Sequence, residues 1–208
     1  MIINKDEILF VILAGGQSKR FGGGFKTFAK FNNQSILDRI ITQLKTAKVD
    51  MIINANFNQN KLLKNNITIV PDIDNKFNGP LAGIYASMVW SKKNHLRKKW
   101  IFTIPSDTPF LPNNLIKKFL CNFDKSKKIF IARSAKKPQP VVGMWDISLV
   151  DNLKNFLNGY NKKIMDCVKK HDYKFVDFEN NDFDYFFNIN TLQDLKQASV
   201  MEREISNK

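Results

Sequence analysis

Apolar and polar positions along this chain form two kinds of block, and the first kind predicts strands. Short runs that are almost wholly apolar indicate buried strands, because a strand covered on both faces has no polar side. Such runs occupy residues 8–12, 49–54, 67–70, 100–104, 128–132, 140–144 and 175–178, and residues 186–189 are also predicted to be extended.

The second kind of block predicts helices between these strands. Ser35 followed by Asp38 is a capping signal for a helix, and Thr191 followed by Asp194 repeats it. Pro80 suits the first turn of a helix that runs to residue 90. Further helices are predicted at residues 112–121, 147–157 and 164–170. Alternating strands and helices predict an α/β fold with a largely parallel sheet flanked by helices.

Length and composition favour one soluble globular domain. The chain has 208 residues, of which 43% are hydrophobic and 25% charged, as is ordinary for such a domain. No apolar run is long enough to span a bilayer, and the N-terminus lacks the features of a signal peptide. Cys121 and Cys167 lack metal-ligand spacing, so we expect free thiols and a cytoplasmic protein. The tail from residue 202 to 208 is expected to be loosely ordered, which leaves residues 1–201 as the domain.

The formal net charge of +14 raises the alternative of a non-catalytic, basic nucleic-acid-binding protein. The lysines, however, are spread over the whole chain, and arginine, the preferred reader of phosphates and bases, is scarce. This distribution favours a solvated surface and predicts no nucleic-acid or membrane partner. A positive field would still attract an anionic substrate.

A glycine-rich segment with basic residues follows the first predicted strand. Residues 13–26 read L-A-G-G-Q-S-K-R-F-G-G-G-F-K. Glycines let backbone N–H groups approach anionic oxygens, and Lys19, Arg20 and Lys26 would add positive charge. Phe25 stands where a Walker A loop needs glycine, and the dinucleotide fingerprint does not fit either. The segment therefore predicts a phosphate cradle of a different kind.

Polar residues follow four of the predicted strands, at residues 13–16, 54–56, 71–72 and 105–107. In a parallel sheet these ends share one edge, where ligands bind. Asp107 at the end of an apolar strand is a candidate Mg²⁺ ligand, since Mg²⁺ takes one or two carboxylates plus substrate phosphates. Asp72 is a weaker candidate, because a turn role explains it equally well.

Two further motifs carry candidate chemistry. Residues 79–83 read G-P-L-A-G, and Gly83 inside a helix costs about 1 kcal/mol relative to alanine, so close approach of another group is a plausible reason. Asn188 and Asn190 fall on the same side of an extended segment. Their amides suit a base, a ribose, a metal-bound water or a phosphate, or else the backbone groups of the loop before Thr191.

These motifs occur in one order that resembles the molybdenum cofactor guanylyltransferases, from about Leu9 to Leu195. The resemblance rests on residues 13–26, 54–56, 72, 79–83, 106–112, 139–140 and 187–191. It implies a single Rossmann-like domain that binds GTP and Mg²⁺. The implied reaction transfers GMP to the phosphate of molybdenum-molybdopterin, forming the guanine dinucleotide cofactor and releasing pyrophosphate.

The resemblance also implies roles for individual residues. Catalytic roles fall to Lys26, Asp107 and Arg20, with Asp107 as the metal ligand. Nucleotide-binding roles fall to Leu13, Ala14, Gly15, Gly16, Lys26, Asn54, Asp72, Gly79, Pro80, Leu81 and Asp107. The side of the site toward the pterin cofactor would hold Gln139, Pro140, Asn188 and Asn190. Molybdoenzymes and cofactor-insertion proteins are the expected protein partners.

Two residues depart from the family pattern and keep alternatives open. Phe25 stands where the family usually has an acidic residue before the loop lysine, and Gln139 stands where it usually has histidine. Catalytic chemistry itself needs no strong base, because the acceptor phosphate is already a nucleophile, so positioning and charge neutralisation suffice. The alternatives are a cytidylyl or sugar-phosphate nucleotidyltransferase of the same fold, the nucleic-acid-binding protein, and a scaffold without turnover.

Overall fold

The computed structural model describes residues 3–15, 26–56, 66–74, 79–94, 97–179 and 183–206. Its strands are β1 Ile8–Leu13, β2 Lys30–Phe31, β3 Gln34–Ser35, β4 Met51–Asn54, β5 Thr68–Val70, β6 Trp100–Pro105, β7 Ile129–Ser134, β8 Lys137–Asp146 and β9 Tyr173–Phe178. Its α-helices are α1 Ile36–Thr46, α2 Pro80–Asn94, α3 Leu115–Cys121, α4 Val150–Asn158, α5 Ile164–Val168 and α6 Leu192–Ser206. Short 3-10 helices cover Lys5–Glu7, Lys26–Phe28 and Ile147–Leu149.

Seven of these strands form one sheet in the order β5-β4-β1-β6-β8-β7-β9. Strand β8 runs antiparallel to β6 and β7, and the other neighbouring pairs are parallel. The predicted α/β fold with a largely parallel sheet is therefore confirmed. The hairpin between β7 and β8 turns through Ala135 and Lys136, both with positive φ, as a tight hairpin turn requires.

The core lies on both faces of the sheet, as the unbroken apolar strands predicted. On one face α1, α3 and α6 pack over Ile8, Phe10 and Ile12 of β1. On the other face α2, α4 and α5 pack over the alternate residues of the same strand. Phe10 and Phe102 stack in the first layer with ring centroids 5.0 Å apart. In the described ranges, no helix is both long and apolar enough to span a membrane.

Several element boundaries differ from the predicted ones. Helix α3 begins at Leu115 and not at residue 112, after a turn that contains Pro112. Residues 186–189, which were predicted to be extended, do not form a strand: Phe186 lies in a turn, and no strand in the described part of the chain pairs with the segment. The hairpin of β2 and β3 was not predicted, although Asn32 and Asn33 between them adopt the left-handed conformation that asparagine tolerates.

The C-terminal helix is joined to the rest of the domain by an ion pair. Helix α6 continues through Glu202 to Ser206, so the boundary predicted at residue 201 falls inside a helix. The Glu202 carboxylate accepts hydrogen bonds from the Arg39 guanidinium of α1. This ion pair joins the helix to α1. The division into a domain of residues 1–201 and a loosely ordered tail of residues 202–208 stays a prediction.

Candidate active site

A cleft of about 530 Å³ opens at the carboxyl edge of the parallel strands. Sheet register places four strand ends side by side there, because Leu13 is paired with both Asn54 and Pro105, and Asn54 with Val70. Backbone hydrogen bonds extend this alignment past the strands, from Ala14 N to Asn54 O (2.8 Å) and from Ser106 N to Leu13 O (3.1 Å). The polar residues that follow the strands therefore converge, as expected of an open α/β sheet.

Asp72 is held by two asparagine side chains at one end of the cleft. Asn54 Nδ2 donates to Asp72 Oδ1 (2.9 Å) and to the carbonyl of Val70 (3.1 Å). Asn56 Nδ2 donates to Asp72 Oδ2 (2.7 Å), and Asp72 N donates back to Asn56 Oδ1 (2.7 Å). Both carboxylate oxygens thus have an amide donor, so the orientation of Asp72 is fixed by its neighbours.

Helix α2 passes so close to Asn54 that only glycine fits at the contact. A Cβ atom on Gly83 would lie 2.1 Å from Asn54 Oδ1 and 2.9 Å from Leu13 Cδ2. The close approach predicted from a glycine inside a helix is confirmed. Gly79, just before the helix, has φ +81°, a conformation that glycine adopts without steric cost.

A lysine–aspartate pair lies at the middle of the cleft. Lys26 Nζ is 2.5 Å from Asp107 Oδ2 and donates to Asn190 Oδ1 at 2.8 Å. The side chains of Lys26 and Asp107 are only 16% and 17% exposed. Because each partner compensates the charge of the other, an incoming phosphate competes with Asp107 for the ammonium group, and a cation competes with Lys26 for the carboxylate.

The segment that carries Asn188 and Asn190 is fastened to the end of β6. Ile189 N donates to the carbonyl of Asp107 (2.9 Å), and Thr108 Oγ1 donates to Asn188 Oδ1 (2.5 Å). At the start of α6, the backbone N–H groups of Asn190 and Thr191 both donate to Asp194. These hydrogen bonds, led by that of Asn190, lower the pKa of Asp194.

The residues at Asp107 suit Mg²⁺ only with ligands from a substrate. No group of three or more His, Cys, Asp or Glu side chains that could hold a metal occurs among the described residues. Asp107 offers one carboxylate, with the hydroxyl of Thr108 3.4 Å from its Oδ1. Mg²⁺ typically takes one or two carboxylates, retains waters and completes its shell with phosphates, so this donor set fits that ion.

The structure brings most of the predicted site residues into this one cleft. It is lined by Leu13, Gly15, Lys26, Asn54, Asp72, Gly79, Pro80, Asp107, Gln139, Pro140 and Asn188. Ala14 and Leu81 are buried beneath it and do not line it, while Asn190 reaches it through Lys26. Gly16, Arg20 and the departure at Phe25 lie outside the described residues.

Several lining residues received no individual role from the sequence: Asn56, Asp74, Pro105, Ser106, Thr108, Val141, Val142 and Phe186. Of these, Asn56, Pro105 and Ser106 belong to strand ends that were predicted to meet at this edge. Ser106 and Thr108 had a readable signal, since they flank the candidate metal ligand. Ser106 Oγ lies 3.0 Å from the hydroxyl of Thr27, so these two side chains join the 3-10 helix Lys26–Phe28 to the end of β6. Val141 and Val142 carried no signal in the sequence, because a strand pattern does not show which end of a strand faces a cleft.

Comparison with known proteins identifies the relatives of this chain. A sequence profile of the MobA-like NTP transferase domain matches residues 10–173. A protein named molybdenum cofactor guanylyltransferase from Nitrobacter hamburgensis is 32% identical over 196 residues, covering 90% of this chain and 91% of that protein.

Solved structures share the fold at lower sequence identity. Molybdopterin-guanine dinucleotide biosynthesis protein A from Archaeoglobus fulgidus has a TM-score of 0.74 at 19% identity, covering 94% of this chain and 99% of that one. A 4-diphosphocytidyl-2C-methyl-D-erythritol synthase from Anaerococcus prevotii has a TM-score of 0.75 at 14% identity, covering 96% and 97%. Proteins with different names share this fold, so the fold alone does not identify the substrate.

Proposed function

Because this chain belongs to the family of MobA-like NTP transferase domains, we propose that it transfers GMP from GTP to the phosphate of molybdenum-molybdopterin. The product is the guanine dinucleotide form of the cofactor, and pyrophosphate is released. The curated relative with 32% identity over most of both chains is named for this activity. As a member of the family the chain is a nucleotidyltransferase, and the identity of both substrates is the proposal.

The order of the strands is the observation that supports this most. Along the sheet edge, Asp72 after β5 and Asn54 of β4 come first, then Leu13 of β1, Asp107 after β6, and Gln139 of β8. Asp107 and its partner Lys26 therefore lie between two groups of cleft residues. One group would hold the nucleotide, and the other, with Asn188, would hold the acceptor. A transfer between two substrates needs this arrangement, since the reacting phosphates must meet at the charged centre.

The chemistry requires charge neutralisation and positioning. An oxygen of the acceptor phosphate attacks the α-phosphorus of GTP, a P–O bond forms, and the bond to the β-phosphate breaks as pyrophosphate leaves with the electron pair. Lys26 would neutralise the phosphates, and Asp72 with Asn54 would orient the nucleotide. Asp107 would hold Mg²⁺, which when bound supplies Lewis-acid polarisation of the phosphoryl oxygens.

Replacing Asp107 tests the central assignment. We expect Asp107→Asn to lower kcat for pyrophosphate release by about 100-fold or more, because an electrostatic contact to the reacting group is lost, while the melting temperature stays close to wild type. Asp177→Asn is the matched control, since Asp177 pairs with Arg133 on β7 and does not line the cleft. Normal turnover of Asp107→Asn at saturating Mg²⁺ would refute the role of Asp107.

Calorimetric binding of GTP, CTP, ATP and UTP, each with and without Mg²⁺, tests the nucleotide. Mg²⁺-dependent preference for GTP is expected. Preference for CTP would assign the chain to the cytidylyl alternative. Pyrophosphate release with a sugar phosphate in place of molybdenum-molybdopterin would assign it to the sugar-phosphate alternative. Absence of nucleotide binding, with salt-dependent binding of DNA or RNA, would favour the nucleic-acid-binding alternative.

We also propose that molybdoenzymes or cofactor-insertion proteins receive the product in the cytoplasm. A labile cofactor is safest when it is handed over directly from one protein to the next. Affinity capture with the tagged chain should recover such proteins, and recovery of none of them would contradict direct transfer.

A further inference from the structure

The amide groups of Asn188 and Asn190 are oriented by their hydrogen-bond partners. Lys26 Nζ is 2.8 Å from Asn190 Oδ1. An ammonium group has donors only, so the Asn190 atom that faces it is the oxygen. Among the described residues no hydrogen bond uses Asn190 Nδ2, and both of its N–H donors are available to a ligand.

Thr108 orients Asn188 in the same sense. Its Oγ1 faces Asn188 Oδ1, and because an amide oxygen can only accept, the hydroxyl is the donor. The other acceptor near this hydroxyl is Asp107 Oδ1 at 3.4 Å, which is too long to compete. Thr108 is 1% exposed, so its single proton goes to Asn188, and no described residue accepts from Asn188 Nδ2.

We propose that Thr108 is a positioning residue, whose hydroxyl holds the Asn188 amide so that Asn188 and Asn190 both present N–H donors to phosphate oxygens of the acceptor substrate. Each amide nitrogen carries two donors, so the pair recognises acceptor atoms and not donors. The ammonium of Lys26 beside Asn190 makes an anionic group the fitting ligand. This inference rests on the proposed function for the identity of the acceptor, but not for the orientation of the amides.

Three variants separate positioning from packing. Thr108→Val keeps the shape and removes the hydroxyl, and Thr108→Ser restores it. Thr103→Val is the matched control, because Thr103 is also buried and donates to the carbonyls of Val141 and Gly143 without touching either asparagine. Loss of one oriented contact predicts that Thr108→Val raises the KM for molybdenum-molybdopterin about tenfold. Its affinity for GTP should be unchanged. Thr108→Ser and Thr103→Val should both keep the wild-type KM.

A readout that needs no turnover is the side-chain amide signal of Asn188 in nuclear magnetic resonance, with inorganic phosphate as the probe. Phosphate should shift this signal in wild type and in Thr108→Ser, and the shift should be lost in Thr108→Val. If wild type releases no pyrophosphate, the proposed function fails, while this titration still decides the role of Thr108. Equal shifts in Thr108→Val and wild type, or an equal KM increase in Thr103→Val, would overturn the inference.

Discussion

Replacing Gly83 with alanine makes two physical effects oppose each other. In an isolated helix this change is stabilising by about 1 kcal/mol, because glycine loses more backbone entropy on folding. In this protein the new Cβ would lie 2.1 Å from Asn54 Oδ1, whereas ordinary contact begins at 3.4 Å. Helix α2 is packed on the sheet, so the Asn54 amide has to move by the difference, about 1.3 Å.

The cost follows from the hydrogen bonds that Asn54 makes. Such a displacement breaks the contacts of its Nδ2 with Val70 O and with Asp72 Oδ1. A neutral hydrogen bond contributes about 1 kcal/mol and one to a charged group about 2 kcal/mol. After subtraction of the helix-propensity gain, we expect a net loss of about 2 kcal/mol, which corresponds to a fall in Tm of about 4–8 °C for a domain of this size.

The assay measures stability and binding together. Gly83→Ala should unfold earlier in calorimetry and bind GTP at least about tenfold more weakly, since one or two oriented contacts are lost. Gly159→Ala is the control, because Gly159 is exposed at the end of α4, and the nearest atom to a new Cβ is Phe156 O at 3.3 Å. It should bind GTP as wild type does. A Gly83→Ala protein that is more stable and binds GTP normally would refute the described contact.

Two other predictions concern the thiols and the C-terminal helix. Burial raises the pKa of Cys167 from 9.0 to about 11, whereas Cys121 is exposed. Iodoacetamide at about pH 8 should therefore modify one thiol in the folded protein and both thiols after denaturation. Rapid modification of both thiols in the folded protein would contradict this prediction. Since the folded pKa of Cys167 is the higher one, its contribution to stability is complete below pH 9.0 and declines as the pH rises toward 11. Glu202→Gln removes the charged partner of Arg39, so it should destabilise the domain by about 1–2 kcal/mol and speed proteolysis in α6. The control is Glu7→Gln, which breaks an exposed pair with Lys99 and should change neither stability nor proteolysis in α6.

The layered fold could be predicted because it rests on local patterns. Strand β1 is apolar at every position and β6 at every position but Thr103, and only a sheet covered on both faces buries such strands completely. The capping signals at Ser35 and Thr191 also lie where helices begin, since a hydroxyl that accepts a backbone N–H acts within a few residues. Strands β7 and β8 extend further toward their connecting turn than the runs 128–132 and 140–144 predicted, because the left-handed turn at Ala135 and Lys136 carries no glycine or asparagine to mark it.

The meeting of polar residues at one sheet edge could be inferred from the sequence, but their partners could not. Parallel topology brings the residues after β1, β4, β5 and β6 to one edge, whatever their side chains do. The contacts of Lys26 with Asp107 and Asn190 span 81 and 164 residues, and no periodicity reports on pairs that far apart.

The sequence by itself determined which strands are apolar on both faces, where the chain caps its helices, and which polar groups follow the strands. Each of these is a property of a few neighbouring residues. Only the tertiary structure decided that β8 reverses direction, that α6 is fastened by Glu202, and that Thr108 turns an asparagine amide toward the cleft. Those features depend on which distant surfaces pack together, and packing is settled by the whole core and not by any segment of it.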